Sequence, residues 1–76
     1  MSEGPKVLLI FQSIHQVLAA EQALSAAGVA HDLVPVPKEI NPNCGMAVTV
    51  APAGRAAALA ALATAPPLRV LDGWEP

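Results

Sequence analysis

The sequence predicts a two-layer α+β sandwich whose elements run strand, helix, strand, strand, helix, strand. Three observations lead there. Residues 6–11 (KVLLIF) form a continuous apolar run, residues 13–28 carry helical periodicity between a serine and a glycine, and residues 45–50 alternate apolar positions before an alanine-rich stretch.

The first run is the pattern of a central strand, covered on at least one face. Ser13 then opens Ser-Ile-His-Gln, which fits a capping box in which the hydroxyl accepts from the Gln16 amide and the Gln16 side chain reaches back to the Ser13 amide. Ile14, Val17, Leu18 and Leu24, with Ala20, Ala23 and Ala27 beside them, mark one face of the helix. Gly28 is placed to end it.

Residues 31–36 (HDLVPV) form a short strand, and Pro35 assigns it to an edge because proline cannot donate to a ladder. In the third strand, residues 45–50, Met46, Val48 and Val50 share one face while Ala47 and Thr49 share the other. Pro52 suits the first turn of a second helix over 52–64, which rests on alanine propensity and ends before Pro66-Pro67. Residues 68–71 form the last strand.

Right-handed crossovers on both strand-helix-strand units turn this order into the ferredoxin-like split βαβ sandwich (βαββαβ), with antiparallel sheet order 4-1-3-2 and both helices on one face. One domain spanning residues 1–76 is expected. At 76 residues it lies near the lower limit for a core-stabilised fold. Much of its apolar content is alanine, and Phe11 and Trp74 are its aromatics, so the core should be thin. The first strand is apolar at every position from Val7 to Phe11, so the face away from the helices should expose aliphatic surface, which suggests a homodimer.

Composition excludes several functions. With four Lys and Arg residues and a net charge of -2, the chain lacks the clustered positive charge that phosphate binding needs, so no nucleic-acid partner is expected. The run from Val7 to Phe11 is far too short to span a bilayer, and MSEGPK has no apolar signal core. No membrane partner is expected, and the expected location is the cytoplasm. The single cysteine forms no intramolecular disulfide. No cofactor or metal site is indicated.

That cysteine, Cys44, lies between Asn41-Pro42-Asn43 and Gly45 rather than in an apolar run. The topology brings the start of strand three beside the end of strand one, and so places Cys44 near Phe11, Gln12, Ser13 and the first turn of the first helix. Free amides and the partial positive charge of a helix N-terminus stabilise a thiolate, which is the nucleophilic form. His15 and Lys38 can add positive charge, and Gly45 leaves room for an approaching sulfur donor. An at least partly accessible thiol is therefore expected.

These residues resemble those of the Se/S carrier protein-like family across nearly the whole chain. That family's pattern runs from a strand ending near Ser-Thr-His, through a helix, to Val-Pro-Arg and then Ser-Ser-Ser-Cys-Gly. Here Ser13-Ile14-His15, Val36-Pro37-Lys38-Glu39-Ile40 and Asn41-Pro42-Asn43-Cys44-Gly45 stand at those places. Two departures matter: Lys38 keeps the charge of the usual arginine but loses its fork, and Asn-Pro-Asn replaces hydroxyl donors to a bound chalcogen.

The resemblance implies a carrier rather than a stand-alone enzyme. Cys44 would hold sulfur or selenium as a persulfide or selenosulfide, His15 and Lys38 would stabilise its thiolate, and donor and acceptor proteins would be the partners. The competing class is a ferredoxin-like regulatory or assembly module in which Cys44 is incidental. Soft-metal handling by Cys44, Met46 and His15 offers too few thiolates for a closed site. Hydrolysis by Ser13 and His15 fails because residues two apart on a helix do not face each other.

Overall fold

The computed structural model describes residues 4–42 and 44–75. Its elements are β1 (Lys6–Ile10), α1 (Ile14–Ala26), β2 (Asp32–Pro35), β3 (Met46–Val50), a 3-10 turn (Pro52–Gly54), α2 (Arg55–Ala61) and β4 (Arg69–Trp74). The four strands form one sheet in the order β2-β3-β1-β4, antiparallel throughout, which is the predicted order.

Alternation along β1 divides its side chains between two faces. Val7, Leu9 and Phe11 enter the main core with Val48 and Val50 of β3, and both helices cover this face through Val17, Ala20 and Leu24 of α1 and Ala58 of α2, with Leu62 just beyond the end of α2. Leu8 and Ile10 enter a second cluster on the opposite face. Every residue from Val7 to Phe11 is buried, so β1 is the centre of the molecule. The proline-bearing β2 takes an edge, where Pro35 lies opposite Met46.

The helix signals at α1 are realised with one shift. Ser13 is the N-cap and its hydroxyl accepts from the Gln16 amide at 3.3 Å. The Gln16 side chain reaches one residue further back than expected and accepts from the Gln12 amide at 2.9 Å. At the other end Gly28 adopts φ +74°, and the bonds Val29 N–H to Leu24 O and Gly28 N–H to Ser25 O close a Schellman motif. Val29 then packs against the cluster that holds Leu24.

Several expectations need correction. Ile14 and Leu18 do not face the core but lie exposed, because the strip of α1 that meets the sheet is only wide enough for Val17, Ala20 and Leu24. The second helix is shorter than 52–64: a 3-10 turn precedes seven α-helical residues, and the chain leaves helical geometry at Leu62 (φ −101°, ψ 18°). Gly54 gives its start no side-chain cap, and its end is closed by the backbone, with Leu62 N–H donating to Ala58 O. The last strand runs on to Trp74, through an irregularity between Lys6 and Leu8 in its pairing with β1.

The largest correction concerns the face away from the helices. It was expected to expose aliphatic surface, yet Leu8, Ile10 and Ala47 are buried there. Val36 joins them, and Val34, Ile40, Leu71 and Trp74 pack against the group. The segment after β2 and the end of β4 therefore cover β1, and the surface that suggested a dimer through this face is closed.

One comparison within α1 tests this account of its buried strip. Leu24→Ala, at a fully buried site, should cost about 2–5 kcal/mol in urea unfolding, whereas Leu18→Ala, at a site 46% exposed, should cost less than about 1 kcal/mol. Equal losses would show that the apolar face of α1 is misassigned.

Candidate functional site

The thiol-bearing loop connects β2 to β3, and its neck is held by a ladder bond beyond the strand ends, from Val36 N–H to Gly45 O at 2.9 Å. Past that neck the chain turns tightly, with the amides of Ile40 and Asn41 both donating to Pro37 O. The loop then meets the body of the protein: Asn41 Nδ2 donates to Phe11 O at 2.7 Å, across thirty residues of sequence.

Cys44 stands where the topology placed it. β3 runs antiparallel to β1, with Leu9 opposite Val48, so the start of β3 lies beside the end of β1. The thiol belongs to the same core cluster as Phe11 and Val17. Its exposure departs from expectation, however: Cys44 is only 8% exposed, and Sγ donates to Met46 O at 3.4 Å. The reason is parity. Cys44 lies two residues before Met46 and four before Val48, so it shares their helix-covered face. The polar residues around it indicated a loop, while the spacing from β3 decided where the side chain points.

Among the described residues, none of the other predicted site residues bonds to this buried thiol. His15 and Lys38 are exposed, and among the described residues neither joins Sγ by a hydrogen bond or ion pair. Ser13 is engaged as the cap of α1. Gly45 is exposed with open space where a side chain would stand, so an incoming group meets no steric barrier there. Asn43 lies outside the described residues.

The residue that sequence reading missed is Asn41. It is 2% exposed, one of two buried polar residues among those described, the other being Thr49. A lone Asn in an Asn-Pro turn looks like turn chemistry, and nothing local indicates that its amide closes a contact with the end of β1.

Among the described residues no group of three or more His, Cys, Asp or Glu side chains comes together. No helix there is long and apolar enough to cross a membrane. A depression of about 180 Å³, lined in part by Lys6, His31, Asp32 and Thr49, lies at the opposite end of the sheet from Cys44.

Comparison with known families gives a match over most of the chain. The profile of the family described as "Putative Se/S carrier protein-like" matches residues 6–68, a span that includes the thiol loop and both helices. No curated protein and no solved structure matches the chain.

Burial of Sγ has a direct kinetic consequence. Iodoacetamide should modify Cys44 in the native protein more than roughly tenfold slower than in the urea-unfolded chain at the same pH, since only the open fraction reacts. Equal rates would mean that the thiol is freely accessible.

Proposed function

The chain belongs to the Se/S carrier protein-like family, and on that premise we propose that it carries sulfur or selenium on Cys44 and passes it to a partner protein. The observation that carries this reading is the family match across the whole thiol loop, in which Cys44 is the only thiol of the chain.

The chemistry balances without an added oxidant. The Cys44 thiolate attacks the outer sulfur of a donor persulfide, R–S–SH. A new S–S bond forms on Cys44, the donor's S–S bond breaks, and R–S⁻ departs with the electron pair. Hand-off is the same exchange run outward: an acceptor thiolate takes the outer sulfur and Cys44 leaves as thiolate. One thiol suffices because each partner brings its own. A selenosulfide donor would follow the same course with selenium as the outer atom.

The remaining residues take supporting roles in this proposal. Ser13 caps α1 and so fixes the helix terminus whose free amides favour an anion. Gly45 leaves the approach open. His15, when protonated, and Lys38 contribute positive charge from the surface. The effect of each is limited by solvent and salt. Donor and acceptor proteins are the partners implied. Before either can react, Sγ must leave Met46 O and reach the surface.

One observation favours a second reading, an assembly or regulatory module with an incidental cysteine: a thiol 8% exposed and bonded to a strand carbonyl also suits a core position. Mass spectrometry separates the two. Reduced protein incubated with a low-molecular-weight persulfide should gain one sulfur atom on the Cys44 peptide, removable by reductant, and Cys44→Ser should gain none. If native protein gains nothing while the unfolded chain does, the carrier reading fails.

The supporting charges have their own check. His15→Ala and Lys38→Ala should each change the alkylation rate by less than about twofold at physiological salt. A tenfold loss in either would give that residue a direct contact with the thiolate.

A further inference from the structure

The thiol loop straddles the end of the sheet. Ile40 packs against the cluster on the far face, whereas Cys44 packs in the cluster under the helices. Between them in sequence lies Asn41, bonded through its side chain to the end of β1. The loop is thus a clip over the strand's edge, with an apolar contact on each side and a hydrogen bond at the crossing.

The backbone at that crossing is closely accounted for. Ile10 O accepts from Leu68 N–H at 2.7 Å, which begins the pairing with β4. Gln12 N–H is taken by Gln16 and Ser13 O by Val17 N–H, so α1 uses both. Phe11 O lies between these groups and accepts from Asn41 Nδ2. Both partners are buried, so separating them inside the closed structure would leave polar groups without water. The bond therefore breaks only if the loop lifts.

We infer that Asn41 is the latch of the thiol loop: its bond to Phe11 holds Cys44 turned inward, and its release governs how often Sγ reaches a partner. Asn41 is thus a positioning residue that touches neither donor nor acceptor. The inference rests on the carrier reading for its purpose, but the opening itself is a property of the fold. A carrier benefits from such a device because a persulfide left in water is open to any thiol, whereas a latched one reacts only when the loop is lifted.

The test is the alkylation rate of Cys44 with iodoacetamide at fixed pH, together with hydrogen exchange at the Ile40 amide. Asn41→Ala removes the bond, and Asn41→Asp keeps the size but lacks the N–H donor. Both should alkylate at least about fivefold faster, the factor for the Phe11 bond alone at the net worth of an ordinary hydrogen bond, and Ile40 exchange should accelerate in step. Val70→Ala serves as the control, because it removes half-buried packing from the same core but from β4, which flanks β1 on the side opposite β3. It should lower the urea midpoint yet change alkylation less than twofold. Unchanged rates in the Asn41 variants would overturn the latch, as would equal acceleration in Val70→Ala, which would indicate general softening. The two readings fail separately. Faster alkylation without persulfide formation would leave the latch standing and remove the carrier, and persulfide formation with unchanged alkylation would do the reverse.

Discussion

The constraint on which this structure depends is a central strand that must be covered on both faces. β1 is buried from Val7 to Phe11, and alternation sends Leu8 and Ile10 to the side that has no helix. In water that side would expose aliphatic surface worth about 1.5–3 kcal/mol per large side chain. Among the described residues no further helix or sheet covers that side. A loop and a strand end serve instead: Val36 and Ile40 from the segment after β2, and Trp74 from the end of β4, close the far face. The loop that carries the cysteine is thereby recruited into the core. Its position is a consequence of covering β1 before it is a feature of any chemistry.

The second requirement acts at the junction of β1 and α1, where a strand ends and a helix begins within three residues. Helix starts leave amides unpaired, and strand ends leave carbonyls unpaired. Here the caps from Ser13 and Gln16 answer the first need, and Leu68 N–H and the Asn41 side chain answer the second. The thiol lies beside this junction because β3 runs antiparallel to β1 and begins where β1 ends. Fold order, helix capping and thiol position therefore share one cause. The charges of His15 and Lys38 stay outside it, on the surface.

Much of this was legible in the sequence because it is written in local rules. Pro35 marked the edge strand, the apolar run at 6–11 marked the centre, and Ser13 and Gly28 bounded α1. What was hidden depends on distant contacts. Ile14 and Leu18 have the periodicity of a buried face, but one helix on a sheet buries only a narrow strip, and its rotation is set by the partner surface. The alanines after Arg55 promise a longer helix than the one that forms, which ends at Ala61. Asn41 has the appearance of a turn residue, and its bond to Phe11 spans thirty positions. The inward turn of Cys44 is the exception. Its spacing from Met46 and Val48 already placed it on the helix side, but the polar residues beside it gave the opposite signal.

The central claim is that Cys44 becomes reactive by a local lifting of its loop and not by unfolding of the domain. The alkylation rate of Cys44 as a function of urea, well below the unfolding midpoint, tests this most directly. Local opening exposes little surface, so the rate should stay nearly flat at low urea and climb only as global unfolding takes over. A rate that rises from the first addition of urea, with the full slope of the equilibrium unfolding transition, would show that the thiol is reached only through the unfolded chain and would contradict the account.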